Sequence, residues 1–210
     1  MGTRRDVGRR RLARARLDIT ATGRRTPVQP PEVLPAAAYA GLMAPSADND
    51  EVERTPDGHH IVVAGRKWRA TDRLIPENFR AELVAELMRA RRLVGSQGDA
   101  ARPMVHDAKT ALGERGEPWW EPSTDDGRRD RLAATIRTLL RHRNGTTICP
   151  SDAARVVGGA SWRDLVPVAR EVAHTLVQQD VVVVQQKGVP VDVREARGPV
   201  RIAPGPALQR

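Results

Sequence analysis

The chain has 210 residues, 40% of them hydrophobic, with 16 prolines, one cysteine and a formal net charge of +9. That is room for one ordinary domain or two small ones, with part of the chain left outside any core. The single cysteine, Cys149, excludes an intramolecular disulfide and a several-cysteine zinc site and fits a reducing cytoplasm. The apolar run from Pro35 to Pro45 is far shorter than the roughly 20 residues a membrane span needs, so no bilayer crossing is expected.

The arginine-rich first residues lack the apolar stretch and cleavage site of a secretory signal, and Asp6 stands where a myristoylation signal wants Ser or Thr. Charge is unevenly spread: residues 1–25 carry +7, residues 26–125 carry −4 and residues 126–210 carry +6. Only Lys67, Lys109 and Lys187 are lysines. A GC-rich genome substitutes Arg for Lys without functional demand, so the arginine excess alone is weak evidence of phosphate binding.

Residues 1–57 read as a disordered basic arm and linker, because the proline-rich stretches TPVQPPEVLP and APSADNDEVERTPDG show no apolar period. The first ordered unit spans 58–121. Ile61-Val62-Val63, then Ala64-Gly65, then Arg66-Lys67-Trp68-Arg69 predict a β-hairpin with Gly65 in the turn and Trp68 on the buried face. Pro76 sits where a first-turn proline would, and Phe79, Leu83 and Leu87 repeat at helical spacing. Gly95 to Asp99 breaks that helix, and Met104, Val105, Ala108 and Leu112 mark a second one ending at Gly113, so a helical hairpin follows.

A second unit spans 126–203. Leu132, Ile136, Leu139 and Leu140 form the buried stripe of its first helix, which Asn144-Gly145 stops, and Thr146 to Cys149 read as a brief strand. Ser151 is the expected cap of a second helix ended by Gly158-Gly159. Ser161 and Asp164 have capping-box spacing for a third helix, buried through Trp162, Leu165, Ala169, Val172, Ala173 and Leu176 and bent by Pro167. Val181 to Gln186 predicts a strand, Lys187-Gly188 a turn and Val200 to Ile202 a return strand, with 204–210 a disordered tail. The fold class is therefore α+β, mainly α: a C-terminal winged helix-turn-helix behind a small β-hairpin and a helical hairpin, preceded by a disordered basic N-terminal arm.

The segments TICPSDAARVVGG, SWRDLVPVAREVAHTL and QQKGVPVDVREARGPVRI resemble an uncharacterised family of small bacterial winged-helix domains, a domain of unknown function, over 126–203. The resemblance implies the fold and brings no activity, ligand or catalytic residue. Residues 60–121 resemble a segment that often precedes this domain in GC-rich bacteria, again without a role.

A helix-turn-helix reads DNA with its third helix, and nearby cations meet phosphates. The candidate nucleic-acid-binding residues are Arg163, Arg170, His174 and Gln178 on that helix, and Lys187, Arg194, Arg197 and Arg201 on the wing and its flank. Arg137 and Arg141 add an i, i+4 basic pair on the first helix, while Asp164 and Glu171 weaken the footprint. Double-stranded DNA is the leading partner, and the alternative is a protein-interaction adaptor without nucleic-acid binding. The arm is either a flexible supplement to DNA affinity, a solvated terminus, or untranslated if initiation is at Met43.

No enzyme is expected. Cys149 would have Ser151 opening a helix behind it, but neither His142 nor His174 is placed by the sequence as its base, so a structural cysteine is favoured. His59, His60 and His106 lie beside Asp57 or Asp107 without ligand spacing, so no metal, cofactor or small-molecule ligand is inferred. Trp119 and Trp120 either dock on the helical hairpin and fix the linker, the favoured reading, or present one exposed ring for stacking.

Overall fold

A computed structural model of the chain describes residues 53–209, so the expected arm and nearly all of the linker lie outside the described residues. Strands β1 (His60–Val63) and β2 (Arg66–Arg69) pair antiparallel with Ile61 opposite Trp68. The two-residue turn between them has positive φ at both Ala64 (50°) and Gly65 (75°), the backbone that matches a tight hairpin to the twist of its strands. Ile61 is buried and Trp68 half-buried on the same face.

Helix α1 (Glu77–Gln97) starts directly after Pro76 and buries Phe79, Leu83 and Leu87. It runs through the expected break at Gly95 and stops at Gly98, whose φ is 61°. A 3-10 turn (Gly98–Ala101) reverses the chain into α2 (Arg102–Ala111), and Gly113 (φ 78°) follows. The helical hairpin is thus as the apolar pattern predicts, with its turn beginning at Gly98, inside the expected Gly95–Asp99 break.

Helix α3 (Asp125–His142) is capped by the Thr124 hydroxyl, which accepts from the Gly127 N–H at 3.0 Å. Its predicted stripe of Leu132, Ile136, Leu139 and Leu140 is fully buried. Next come α4 (Pro150–Gly158), a 3-10 stretch (Gly159–Leu165), α5 (Val166–Gln178), β3 (Val182–Gln186), β4 (Val189–Pro190) and β5 (Arg201–Pro204). The sheet order is β4-β3-β5, all antiparallel, and the expected strand at 146–149 reduces to one bridge, Ile148 to Ile202. Three helices closed by a small sheet with a wing-like hairpin is the arrangement the sequence predicts.

Two boundaries differ for local reasons. Cys149, not Ser151, caps α4: Pro150 fills the first helical position, and the Asp152 carboxylate reaches back to the Cys149 N–H at 3.0 Å. Pro167 does not bend a helix, because the chain from Gly159 to Leu165 is 3-10 and α5 begins only at Val166. In that first turn a missing N–H costs nothing.

One hydrophobic core runs from Ile61 to Leu208 through both segments. Across it, acids of the first segment meet arginines of α3 and of the turn behind it. Asp72 accepts from Arg131 at 2.7 Å, Asp107 from Arg137 and Arg141 at 2.6–2.7 Å, and Glu82 from Arg143 at 2.7 Å. Arg143 also donates to Asp152 at the start of α4, at 3.0 Å. Three acids of the first segment and four arginines of the second are therefore paired internally.

Residues 204–209, expected as a disordered tail, turn back onto the body. The Gly205 N–H donates to the Val181 carbonyl at 2.9 Å, that of Ala207 to Asp180 at 3.0 Å, and Leu208 is buried. No described helix is long and apolar enough to cross a membrane.

One buried cation lies outside these pairs. Lys109 on α2 is closed in by Trp68, with Glu114 at 3.8 Å, and desolvation holds its ammonium below the ordinary 10.5 despite Glu114. The unfolded chain therefore keeps this proton to higher pH than the folded one. Folded stability is expected to rise with pH from the lowered value up to about 10.5 and to fall back as pH drops through it. Urea unfolding between pH 8 and 11 tests this: Lys109→Met should remove that increment relative to the unchanged chain.

Candidate functional site

Helix α5 carries four of the eight candidate residues or their approach, and the structure separates them by what their polar atoms do. Arg163 lies just before α5 in the 3-10 stretch, exposed, with its guanidinium over the Trp162 ring at 4.6 Å. Arg170 faces inward along the loop 192–199. It donates to the carbonyls of Val193 (3.0 Å), Ala196 (2.6 Å) and Gly198 (3.2 Å). Its hydrogen-bonding capacity is committed to holding that loop. His174 is half-buried with Nδ1 3.9 Å from Asp192, and Gln178 is exposed at the last position of α5.

The wing side is anchored by a second side chain. Gln186 at the end of β3 donates from Nε2 to the carbonyls of Arg197 (2.7 Å) and Pro199 (3.2 Å). The loop 192–199 is thus latched to α5 through Arg170 and to β3 through Gln186. Lys187, Arg194 and Arg197 are exposed there, and among the described residues none has an acidic partner. Arg201 is different: it donates to the Thr147 hydroxyl at 2.9 Å and carbonyl at 2.6 Å, tying β5 to the chain before α4.

The basic pair on α3 is overturned as a phosphate contact. Arg141 has 3% of its side chain exposed and is bound to Asp107 and to the Gln209 carbonyl, and Arg137 chelates the same carboxylate. The sequence reading also missed Arg155, which sits at 4.4 Å over Trp162 from the last turn of α4. No local signal could show it, because the contact depends on how the 3-10 stretch folds back.

Trp119 and Trp120 dock, with Trp119 against Gly113 at the end of the helical hairpin and both rings on the base of the β-hairpin. The Trp119 Nε1–H donates to the Ala70 carbonyl at 3.0 Å, and the Trp120 ring stacks on His59 at 4.2 Å with 6° between planes. The segment is further held by Glu117, whose carboxylate accepts from the Thr124 hydroxyl at 2.6 Å and N–H at 2.9 Å. Those bonds, the hydroxyl one foremost, hold the Glu117 carboxyl below its usual range. Both tryptophan rings are half-buried.

Cys149 is half-buried, with its sulfur accepting from the α4 backbone as a cap. Among the described residues no three His, Cys, Asp or Glu side chains converge as metal ligands. A cavity of about 660 Å³ opens between the 114–124 loop, α2 and α3, lined by Leu74, Thr110, Trp119 and Val157 together with the Asp72–Arg131 pair. A shallower groove of about 390 Å³ follows α5 and β3 through Val177, Val183, Val191 and His174.

No curated protein matches the chain. Residues 129–204, from α3 through β5 and a little over a third of the chain, match a family described as protein of unknown function (DUF3253).

Proposed function

We propose that the C-terminal module is a winged helix acting as a non-catalytic recognition unit, which associates with nucleic acid through its wing and the approach to its third helix. One observation carries the reading. The loop 192–199, latched by Arg170 and Gln186, exposes Arg194 and Arg197, which with Lys187 in the β3–β4 turn form no salt bridge among the described residues, although Asp192 and Glu195 share the loop. An uncompensated surface cation is what releases a counterion on meeting phosphate. Arg170 is engaged in bracing the loop, whereas Arg201 braces Thr147 while staying exposed and without a carboxylate partner.

A protein-docking role is favoured by a different feature, the wing tip. Val189 is 63% exposed and continues through Pro190 into the apolar groove beside β3. Salt separates the two, since phosphate-driven binding weakens steeply with ionic strength and an apolar contact does not.

Fluorescence anisotropy of the full chain with mixed-sequence duplex is the test, run from low to moderate salt. The triple variant Lys187→Ala, Arg194→Ala, Arg197→Ala should flatten the slope of log affinity against log salt by about 2–3, given roughly 0.9 per phosphate contact. Duplex affinity that ignores salt removes nucleic acid from the account, and salt-dependent affinity that the triple variant retains in full removes the wing as its contact.

A further inference from the structure

Two guanidinium groups lie over one indole at the join of α4 and α5. The Cζ atoms of Arg155 and Arg163 lie 4.4 Å and 4.6 Å from the centre of the Trp162 ring, so the two cations are within about 9 Å of each other. Close packing sets the geometry: a Cβ on Gly158 would fall 2.9 Å from the Leu165 side chain and 3.5 Å from Trp162 Cβ. The bare backbone there lets the 3-10 stretch fold tightly against the end of α4.

Both arginines are exposed, and among the described residues neither makes a salt bridge or side-chain hydrogen bond. That sets them apart from Arg131, Arg137, Arg141 and Arg143, each of which has found a carboxylate. Asp164 stands next in sequence but is not paired with either. The contact of an exposed guanidinium with the half-buried Trp162 ring is worth only about 0.5–1 kcal/mol, so the indole holds the two groups in place without cancelling their charge. Each keeps its fork of N–H donors for a ligand, and such forks match the oxygens of a phosphoryl group.

We propose that Arg155 and Arg163, held by Trp162, form a site for a phosphoryl oxoanion, supplied either by a nucleic-acid backbone or by a free oligophosphate. With the backbone as source the site rests on the nucleic-acid reading above and extends it to α4, whereas with a free ligand it stands alone.

The test uses the full chain and the double variant Arg155→Gln/Arg163→Gln, titrated with duplex DNA and separately with inorganic pyrophosphate. Arg155→Lys/Arg163→Lys, which keeps charge but loses the planar forks, and a thermal unfolding curve control for folding. If the backbone is the source, the glutamine pair weakens duplex binding at least tenfold and flattens its salt slope by about two, while the lysine pair falls between. If the source is a free oligophosphate, the glutamine pair abolishes pyrophosphate binding, together with the change in tryptophan emission it causes, and leaves duplex binding alone. Unchanged affinity for both ligands in a folded double variant overturns the site, and the nucleic-acid reading survives if the wing triple variant still loses duplex. An unaltered chain that binds neither ligand overturns both.

Discussion

Asp107→Ala is expected to destabilise the chain by about 3–5 kcal/mol, because removing one partner of a buried ion pair leaves the other charge uncompensated. The carboxylate is 7% exposed and takes three bonds, two from Arg137 (2.6 and 3.0 Å) and one from Arg141 (2.7 Å). Arg137, with 26% of its side chain exposed, can turn to water. Arg141, at 3%, cannot, and keeps only the Gln209 carbonyl at 2.8 Å. Asp107→Asn keeps an acceptor without the charge and should cost less, on the order of 1–3 kcal/mol. Urea unfolding of both variants is the measurement. A loss under 1 kcal/mol for the alanine variant would show that water reaches Arg141 and that the pair does not hold α2 to α3.

That pair also shows what a sequence can and cannot carry. Leu132, Ile136, Leu139 and Leu140 announce the buried face of α3 because burial of a helix is periodic along its own chain. The turns at Ala64-Gly65 and Lys187-Gly188 are legible for the same reason, since each is a two-residue backbone requirement. Arg137 and Arg141 are different. At i, i+4 they share a face, and that face looks the same whether it meets phosphates or a single carboxylate on another helix. Only the packing of α2 against α3 decides it. The bracing bonds of Arg170 and Arg201 are illegible on the same ground, their acceptors lying 23–28 and 54 residues away in the chain. Lys187, Arg194 and Arg197 are legible as exposed because they sit in turns and loops, outside the apolar periods that bury a face.

The docked tail supplies the second large effect and tests the first from the other side. A Cβ at position 205 would stand 2.3 Å from the Asp180 carbonyl oxygen and 2.8 Å from two further backbone atoms of Val181 and Val182. None of these is a flexible side-chain end, so Gly205→Ala has to lift the tail. Lifting it breaks the Gly205 and Ala207 N–H bonds to the 180–181 corner and exposes Leu208, and the expected cost is about 2–4 kcal/mol. It also withdraws the Gln209 carbonyl from Arg141 and opens a path for water to that guanidinium. With Arg141 hydrated, losing Asp107 should matter less. The double variant Asp107→Ala/Gly205→Ala is therefore expected to be destabilised by less than the sum of the two single changes, with a coupling on the order of 0.5–3 kcal/mol. Leu208→Ala, which leaves position 205 unhindered, should lose the side-chain burial without that coupling. Additivity within about 0.5 kcal/mol would mean that the tail and the Asp107 pair stabilise the fold independently, and that Arg141 is not their common member.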